Sequence, residues 1–250
     1  MSTAPDQADA IDRALDHLAE HGWVIVPQAL TRAEVERLRE RLRHARAMGW
    51  EEGLNDVGNM WFDSLLEREP ADFAPLVGHR SIRPHLDRLL GPQCQLRSLR
   101  AHLNPGAYTQ EWHLDFYGYW HERRNLARHR LAVPAVGINT TFYLQDNDPG
   151  FGRLTFVRGG HLREPPHLHP YDPAAFSRWC EAQPKDQLHP RSGDCVLFFS
   201  HIPHQGAKDD PASERGNVVV HYQACPMHAK IWHVSQPRSA NVFPLATAPA

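Results

Sequence analysis

From Leu96 onward the chain changes texture, and that change restricts its fold more than any other feature. Short apolar or alternating runs at 96–103, 111–117, 136–145, 153–158, 194–200 and 217–224 are separated by Gly, Pro, Asn and Asp. In a strand every second side chain lies on the same face, so such runs present one face to a core and the other elsewhere. Many short strands divided by turn residues make a sandwich or a barrel. The reading is therefore a mainly β chain with flanking α-helices: a double-stranded β-helix, or jelly roll, over 96–230. Residues 1–95 read as a mostly helical N-terminal part. Ile11, Leu15 and Leu18 recur at helical spacing and predict a helix over 7–20. Trp23-Val24-Ile25-Val26 is a short strand closed by Pro27. Thr31 and Glu34 form a capping-box pattern, and Val35, Leu38, Leu42 and Ala45 follow on one face, predicting a helix over 32–47. Residues 72–90 predict two helical pieces, broken near Gly78 and Pro84. The stretch 164–190 holds six prolines and, beyond a short helix at 173–182, no period. It reads as an insertion and a lid, since long loops in compact domains are usually functional. The Pro/Ala/Ser-rich tail over 235–250 reads as poorly ordered.

Bulk properties exclude more than they select. A chain of 250 residues without internal repeats is read as one domain over 1–250. A net charge of −2 gives no electrostatic case for nucleic acid or a membrane surface. No apolar run approaches the roughly 20 residues that span a bilayer. Met1 to Asp16 lacks the basic-then-apolar order of a signal peptide. Cys94, Cys180, Cys195 and Cys225 form no CxxC pair and read as reduced thiols of a cytoplasmic protein. No obligate protein partner is implied. The 18 histidines far exceed what one metal site uses, so their number alone identifies nothing.

Spacing says more. His-Leu-Asp occurs twice. His85-Leu86-Asp87 lies among Ile82, Leu86, Leu89 and Leu90, a helical pattern in which residues i and i+2 point to nearly opposite sides. His113-Leu114-Asp115 lies in a strand-like, aromatic-rich run, where i and i+2 share a face and can present nitrogen and oxygen to one point. Far downstream, the apolar strand Cys195–Phe199 leads into His201-Ile202-Pro203-His204, and either histidine is a candidate third donor. Two histidines and one carboxylate are the donor set of a non-haem Fe(II) site with open positions. Arg215 follows His204 closely. A dication, one carboxylate and a dianionic 2-oxoglutarate leave one negative charge, and an uncompensated buried charge is costly. A guanidinium supplies the balance and forks onto a carboxylate. Two other classes compete: a Zn or Mn hydrolase or isomerase drawing on His167, His169, His201 and His204, and a non-catalytic binding module. No HExxH is present, since His121-Glu122 is followed by Arg123-Arg124-Asn125.

Asn104-Pro105-Gly106, Gln110 and His113-Leu114-Asp115, then Gly150 to His161, then Gly193 to Arg215, follow one another in an order that resembles the phytanoyl-CoA dioxygenase family, including its ectoine hydroxylase branch. Gly22 to Pro27 is similar to the family's opening. Arg158-Gly159-Gly160-His161 departs from the family's PGSH, Gln205-Gly206 from its Gly-Ser, and Asn217 stands where many relatives have serine. The resemblance implies Fe(II) held by His113, Asp115 and His204, with His204 rather than His201 chosen by the family's spacing. It implies 2-oxoglutarate anchored by Arg215, with Gln110 and Asn217 as further contacts, and O2 as oxidant. The reaction would oxidise a C–H bond of a small molecule and release succinate and CO2. The Asp115 carboxylate favours hydroxylation over halogenation, because related halogenases carry a small residue there. Tyr117, Tyr119 and Trp120, with Trp61, are aromatic candidates for the substrate site. Arg123, Arg124 and Arg128, in the basic run 121–130, are candidates for attracting an anionic substrate from a second lid.

Overall fold

The computed structural model describes residues 4–54, 59–91, 94–116, 119–120, 136–168, 170–224 and 243–244. Tyr117, Arg123, Arg124, Arg128, His169, Cys225 and the 235–250 tail apart from Phe243-Pro244 lie outside the described residues. The elements run α1 (Ala4–His21), β1 (Trp23–Val26), α2 (Arg32–Ala47), β2 (Gly53–Leu54), β3 (Met60–Phe62), α3 (Leu65–Arg68), α4 (Pro70–Phe73), a 3-10 turn (Ala74–Leu76) and α5 (Arg83–Leu90). The second part holds β4 (Cys94–Asn104), β5 (Tyr108–Thr109), β6 (Val136–Tyr143), β7 (Gly152–Val157), α6 (Pro173–Ala182), β8 (Lys185–Leu188), β9 (Cys195–Phe199), β10 (His204–Lys208), β11 (Arg215–Ala224) and β12 (Phe243–Pro244).

Among the described residues two antiparallel sheets face each other. The larger runs β1-β9-β6-β11-β4-β3-β2, with β12 also on β4; the smaller runs β5-β10-β7-β8. This is the expected jelly roll. Alternation along the strands of the larger sheet sorts two environments. On β11, Val218, Val220 and Tyr222 face the outer core, where Leu99, Ala101 and Leu103 of β4 and Ile138 and Phe142 of β6 join them. The other set, Arg215, Asn217, Val219 and His221, faces an internal cavity. Tyr143, Leu154, Phe156, Val196, Phe198 and Ile202 fill the remainder of the space between the sheets.

The helices close the outer face. Helix α2 starts on a complete capping box: the Thr31 backbone N–H donates to Glu34 at 2.7 Å and the Glu34 N–H donates back to Thr31 Oγ1 at 3.3 Å. Its buried residues are Val35, Leu38, Leu42 and Ala45. Leu42 reaches the start of β11, where a Cβ added to Gly216 would stand 3.5 Å from its Cδ1. The turn before β9 is tied to the same region. Gly193 has φ +89°, which favours glycine, and an added Cβ would meet the Leu30 carbonyl at 2.8 Å. Asp194 then accepts backbone N–H groups from Gln28 at 2.9 Å and Arg191 at 2.8 Å.

Several expectations need correction. Pro84 does not break a helix; it lies in the first turn of α5, where its missing N–H is not needed. The run 111–117 is not a strand among the described residues: His113 makes an isolated bridge to His204. The 164–190 stretch is more than an insertion. Its helix at 173–182 is present as α6, but Lys185–Leu188 adds the edge strand of the smaller sheet, pairing with β7. That part is scaffold.

Leu42 is fully buried under the strand that begins with Arg215. Leu42→Ala is expected to lower unfolding free energy by about 2–5 kcal/mol, read as a lower urea midpoint with an unchanged slope. A loss below about 1 kcal/mol would mean α2 is not docked as described.

Candidate active site

His113 and His204 come together through the main chain. The His113 N–H donates to the His204 carbonyl at 3.1 Å, and the His204 N–H donates to the His113 carbonyl at 3.0 Å. Gln110 N–H to Gly206 O and Phe116 N–H to Ser200 O, each 2.9 Å, continue the seam on either side. Leu114 turns away into a separate cluster with Trp112, Val157 and Phe176, so His113 and Asp115 share the opposite side. The His204 Nε2 lies 3.3 Å from Asp115 Oδ2 and the His113 Nε2 lies 3.7 Å from Oδ1. One ligand atom from each of the three falls within 4.8 Å of the other two. That is the spacing a single ion requires, and the second His-Leu-Asp does not share it: Asp87 lies on α5, paired with Arg83 at 2.7 Å.

Both imidazoles are oriented by their other nitrogen. His113 Nδ1 lies 2.8 Å from the Glu111 carbonyl and His204 Nδ1 lies 2.9 Å from the Ile202 carbonyl. A carbonyl only accepts, so each Nδ1 carries a proton, and each Nε2 is the ring atom turned toward the other donors. Burial first, then the neighbouring His204, pulls the His113 imidazolium pKa down to about 4. Burial alone would raise the Asp115 carboxyl, but His204, His221 and His113 together hold it well below the usual carboxylate range. Asp115 Oδ2 also accepts from Asn139 Nδ2, and the Ser200 hydroxyl donates to Asn139 Oδ1 at 2.5 Å. The site thus offers two imidazole nitrogens and one carboxylate.

A cavity of about 160 Å³ runs from these three residues to Arg215. Arg215 is only 2% exposed, and burial lowers its pKa to about 10, leaving it charged at neutral pH. Its Nε donates to Asn147 Oδ1 at 3.2 Å, its Nη1 donates to the Tyr108 hydroxyl, and the Tyr143 ring lies 5.5 Å away. Among the described residues no carboxylate lies within ion-pair distance. Between Arg215 and the histidines the wall is Gly206, where a Cβ would stand 3.2 Å from Gln110 Oε1 and 3.6 Å from Arg215 Nη1. A side chain there would fill the cradle. Gln110 also approaches His113, its Nε2 3.4 Å from the ring Nε2. Asn217 lines the cavity with a buried Oδ1 that has no partner. A dianion that chelates a metal at one end and meets a guanidinium at the other fits this arrangement.

Other sequence candidates lie elsewhere. His201 stacks on Tyr119 at 3.6 Å, and Trp120 donates to the His201 carbonyl at 3.1 Å. Neither Tyr119 nor Trp120 lines this cavity; both pack with Trp112 and Leu114 on the other side of the 111–116 segment. Trp61 sits on β3 beneath Arg100, 5.7 Å from ring centre to guanidinium, and also does not line the cavity. Sequence reasoning missed Tyr108, Asn139, Asn147 and His221. For His221 the signal was present, because it is three strand alternations from Arg215 on a continuous run.

Fold and site define a jelly-roll oxygenase of the non-haem iron, 2-oxoglutarate type. The phytanoyl-CoA dioxygenase family model matches residues 18–215, and the chain belongs to that family of Fe(II)/2-oxoglutarate-dependent enzymes. No curated protein sequence matches it. Among solved structures, it is similar to SnoN, an epimerase crystallised with Fe3+, alpha ketoglutarate and nogalamycin RO: TM-score 0.70 and 18% identity over 86% of this chain and 84% of that one. HygX from Streptomyces hygroscopicus, with nickel and 2-oxoglutarate bound, gives TM-score 0.67 and 16% identity over 93% and 95%. EctD from S. alaskensis, with 2-oxoglutarate and 5-hydroxyectoine, gives TM-score 0.63 and 19% identity over 90% and 78%. Among the described residues no helix is long and apolar enough to cross a membrane.

His113→Ala, Asp115→Ala and His204→Ala are each expected to lose at least tenfold in Fe(II) affinity, measured by metal content after desalting. Asp87→Ala is expected to keep iron at the wild-type level. Retention of iron by all three alanine variants would exclude this centre.

Proposed function

We propose that this protein oxidises a C–H bond of a small metabolite with Fe(II), 2-oxoglutarate and O2, with natural-product tailoring as its setting. The observation that carries the reading is the pairing of a His-Asp-His cluster with a buried, carboxylate-free Arg215 across one cavity. SnoN, from nogalamycin biosynthesis, and HygX, solved elsewhere with hygromycin B, support the tailoring setting by their likeness in fold.

In this reading His113, Asp115 and His204 would hold the metal. Bound iron supplies the redox chemistry, in which 2-oxoglutarate and O2 become succinate and CO2 while one oxygen atom goes to the substrate carbon. The chain's own residues orient and insulate. The Glu111 and Ile202 carbonyls fix the two imidazole rings, and Asn139, held by Ser200, fixes one Asp115 oxygen. Arg215, steadied by Asn147 and Tyr108, receives the distal carboxylate of the co-substrate, and Gln110 and Asn217 border it. Leu154 and Phe198 line the same cavity and exclude water from the reacting end. Arg100 and His102 supply a polar wall on the β4 side.

Anaerobic protein mixed with Fe(II) and 2-oxoglutarate is expected to develop the visible charge-transfer band of the chelate. Its absence in folded, iron-loaded protein would end this reading. Arg215→Ala removes one partner of a buried charge pair, at about 2–5 kcal/mol, so the 2-oxoglutarate concentration giving half the band should rise at least tenfold. Gly206→Val should weaken 2-oxoglutarate binding comparably while leaving iron content intact, because its side chain fills the cradle without touching a proposed ligand.

A further inference from the structure

A third imidazole stands beside Asp115. His221, on β11, has a side chain 15% exposed and lines the cavity, with its Nε2 3.8 Å from Asp115 Oδ2. Among the described residues the mutually close donors are His113, Asp115 and His204, and His221 is not one of them. It meets the carboxylate from behind the donor set.

Strand register puts it there. Asn139 of β6, His221 of β11 and Ser98 of β4 stand in one row across the larger sheet. Asn139 Nδ2 donates to Asp115 Oδ2, His221 Nε2 faces the same oxygen, and Ser98 Oγ lies 2.6 Å from His221 Nδ1. A β-bulge completes the row. Leu96 and Ser98 are two residues apart and would share a face in an unbroken strand. Between His221 and Tyr222 the β11–β4 register slips, so that Tyr222 pairs with Leu96 in the outer core while His221 pairs with Ser98 on the cavity side. Bulges beside active sites re-aim side chains in this way.

The chemistry of the acceptor sets the role of each nitrogen. A carboxylate only accepts, so the His221 nitrogen that faces Asp115 carries a proton. Ser98 holds the other nitrogen and with it the plane of the ring. Ser98 alone would satisfy a histidine kept for packing; the second nitrogen, aimed at a metal ligand, is what packing does not require. Partners of this kind orient a ligating carboxylate. We propose that His221, set by Ser98, is a positioning residue: with Asn139 it restrains Oδ2 of Asp115, so that Oδ1, the oxygen 3.7 Å from His113 Nε2, is the one presented to the metal. This rests on the metal centre of the function proposed above and names a further residue of that site.

The test uses Co(II), whose visible band reports its ligands, titrated into full-length protein without 2-oxoglutarate. Asp115→Ala supplies the background from the other histidines. Two amides of different length separate the ring's two contacts. His221→Gln places an N–H where Nε2 stands and reaches Asp115; His221→Asn matches Nδ1, reaches Ser98 and stops short of Asp115. His221→Gln is expected to bind Co(II) within about threefold of wild type and with the same band. His221→Asn is expected to bind about tenfold or more weakly and with a shifted band, at an unchanged Tm of the metal-free protein. Equal affinity and band in wild type and His221→Asn would overturn the proposal. So would the reverse order, with His221→Asn binding more tightly than His221→Gln, or a metal-free Tm that falls as far as the affinity does, since either marks His221 as a structural partner of Ser98. Should His221→Asn not fold, Ser98→Ala decides, because it releases the ring without touching Asp115: weaker Co(II) binding at unchanged metal-free Tm supports the proposal, and wild-type affinity overturns it. The charge-transfer band of wild type with Fe(II) and 2-oxoglutarate checks the functional reading separately, so that reading can fail while the role of His221 holds.

Discussion

Two backbone hydrogen bonds, exchanged between His113 and His204, hold this site together. They join a segment outside any ladder strand to the first residue of β10, and they do so at the residues whose side chains must meet. Because the tie is made by the main chain, the imidazoles are free to spend their nitrogens otherwise. Each gives Nδ1–H to a carbonyl two residues away and turns Nε2 toward Asp115. Gln110 N–H to Gly206 O and Phe116 N–H to Ser200 O extend the same seam on either side.

The rest of the site follows from charge in a poorly hydrated interior. A guanidinium without a carboxylate is tolerated there only if something else answers it, and the strand-borne position of Arg215 makes that answer directional. Asn147 and Tyr108 fix the group without neutralising it, since neither carries a charge. The cavity therefore holds fixed attraction for an anion at one end and two imidazoles with a carboxylate as donors for a cation at the other.

Local signals in the chain were legible and non-local ones were not. The capping box at Thr31 and the spacing of Val35, Leu38, Leu42 and Ala45 act within one helix, and α2 has the expected bounds 32–47. The helix at 173–182, opened by Asp172 and Pro173, is similarly self-contained. By contrast β10, with the sequence His-Gln-Gly-Ala-Lys, and β8, Lys-Asp-Gln-Leu, have little strand character of their own; their partners β7 and β5 make them strands. Pro84 was misread because proline both ends helices and begins them, and only the capping geometry separates the two. For the site, the shared face of His113 and Asp115 was legible even though the segment is not a ladder strand, since extended backbone suffices. Tyr119 and Trp120 lie outside the cavity, because nearness in sequence to Asp115 says nothing about which side of the chain a ring takes.

The same strands of the larger sheet serve two media at once, and this explains where the fold can accommodate polar groups. Outward, Val218, Val220 and Tyr222 pack against a continuous apolar layer beneath α2 and α5. Inward, Asn104 and Asn217 keep buried carboxamide oxygens without partners, each a penalty of about 1–3 kcal/mol. A strand with one apolar face well packed can carry such groups on the other without losing its register, because a one-residue slip would turn the whole apolar set inward. Arg215, on such a strand, is therefore the rigid end of the site. His113 and Asp115, on a segment held by scattered backbone bonds, are the adaptable end. An ion that binds both of them and His204 adds a cross-link where the scaffold is weakest, so metal binding and local order at 110–116 are coupled by the architecture itself.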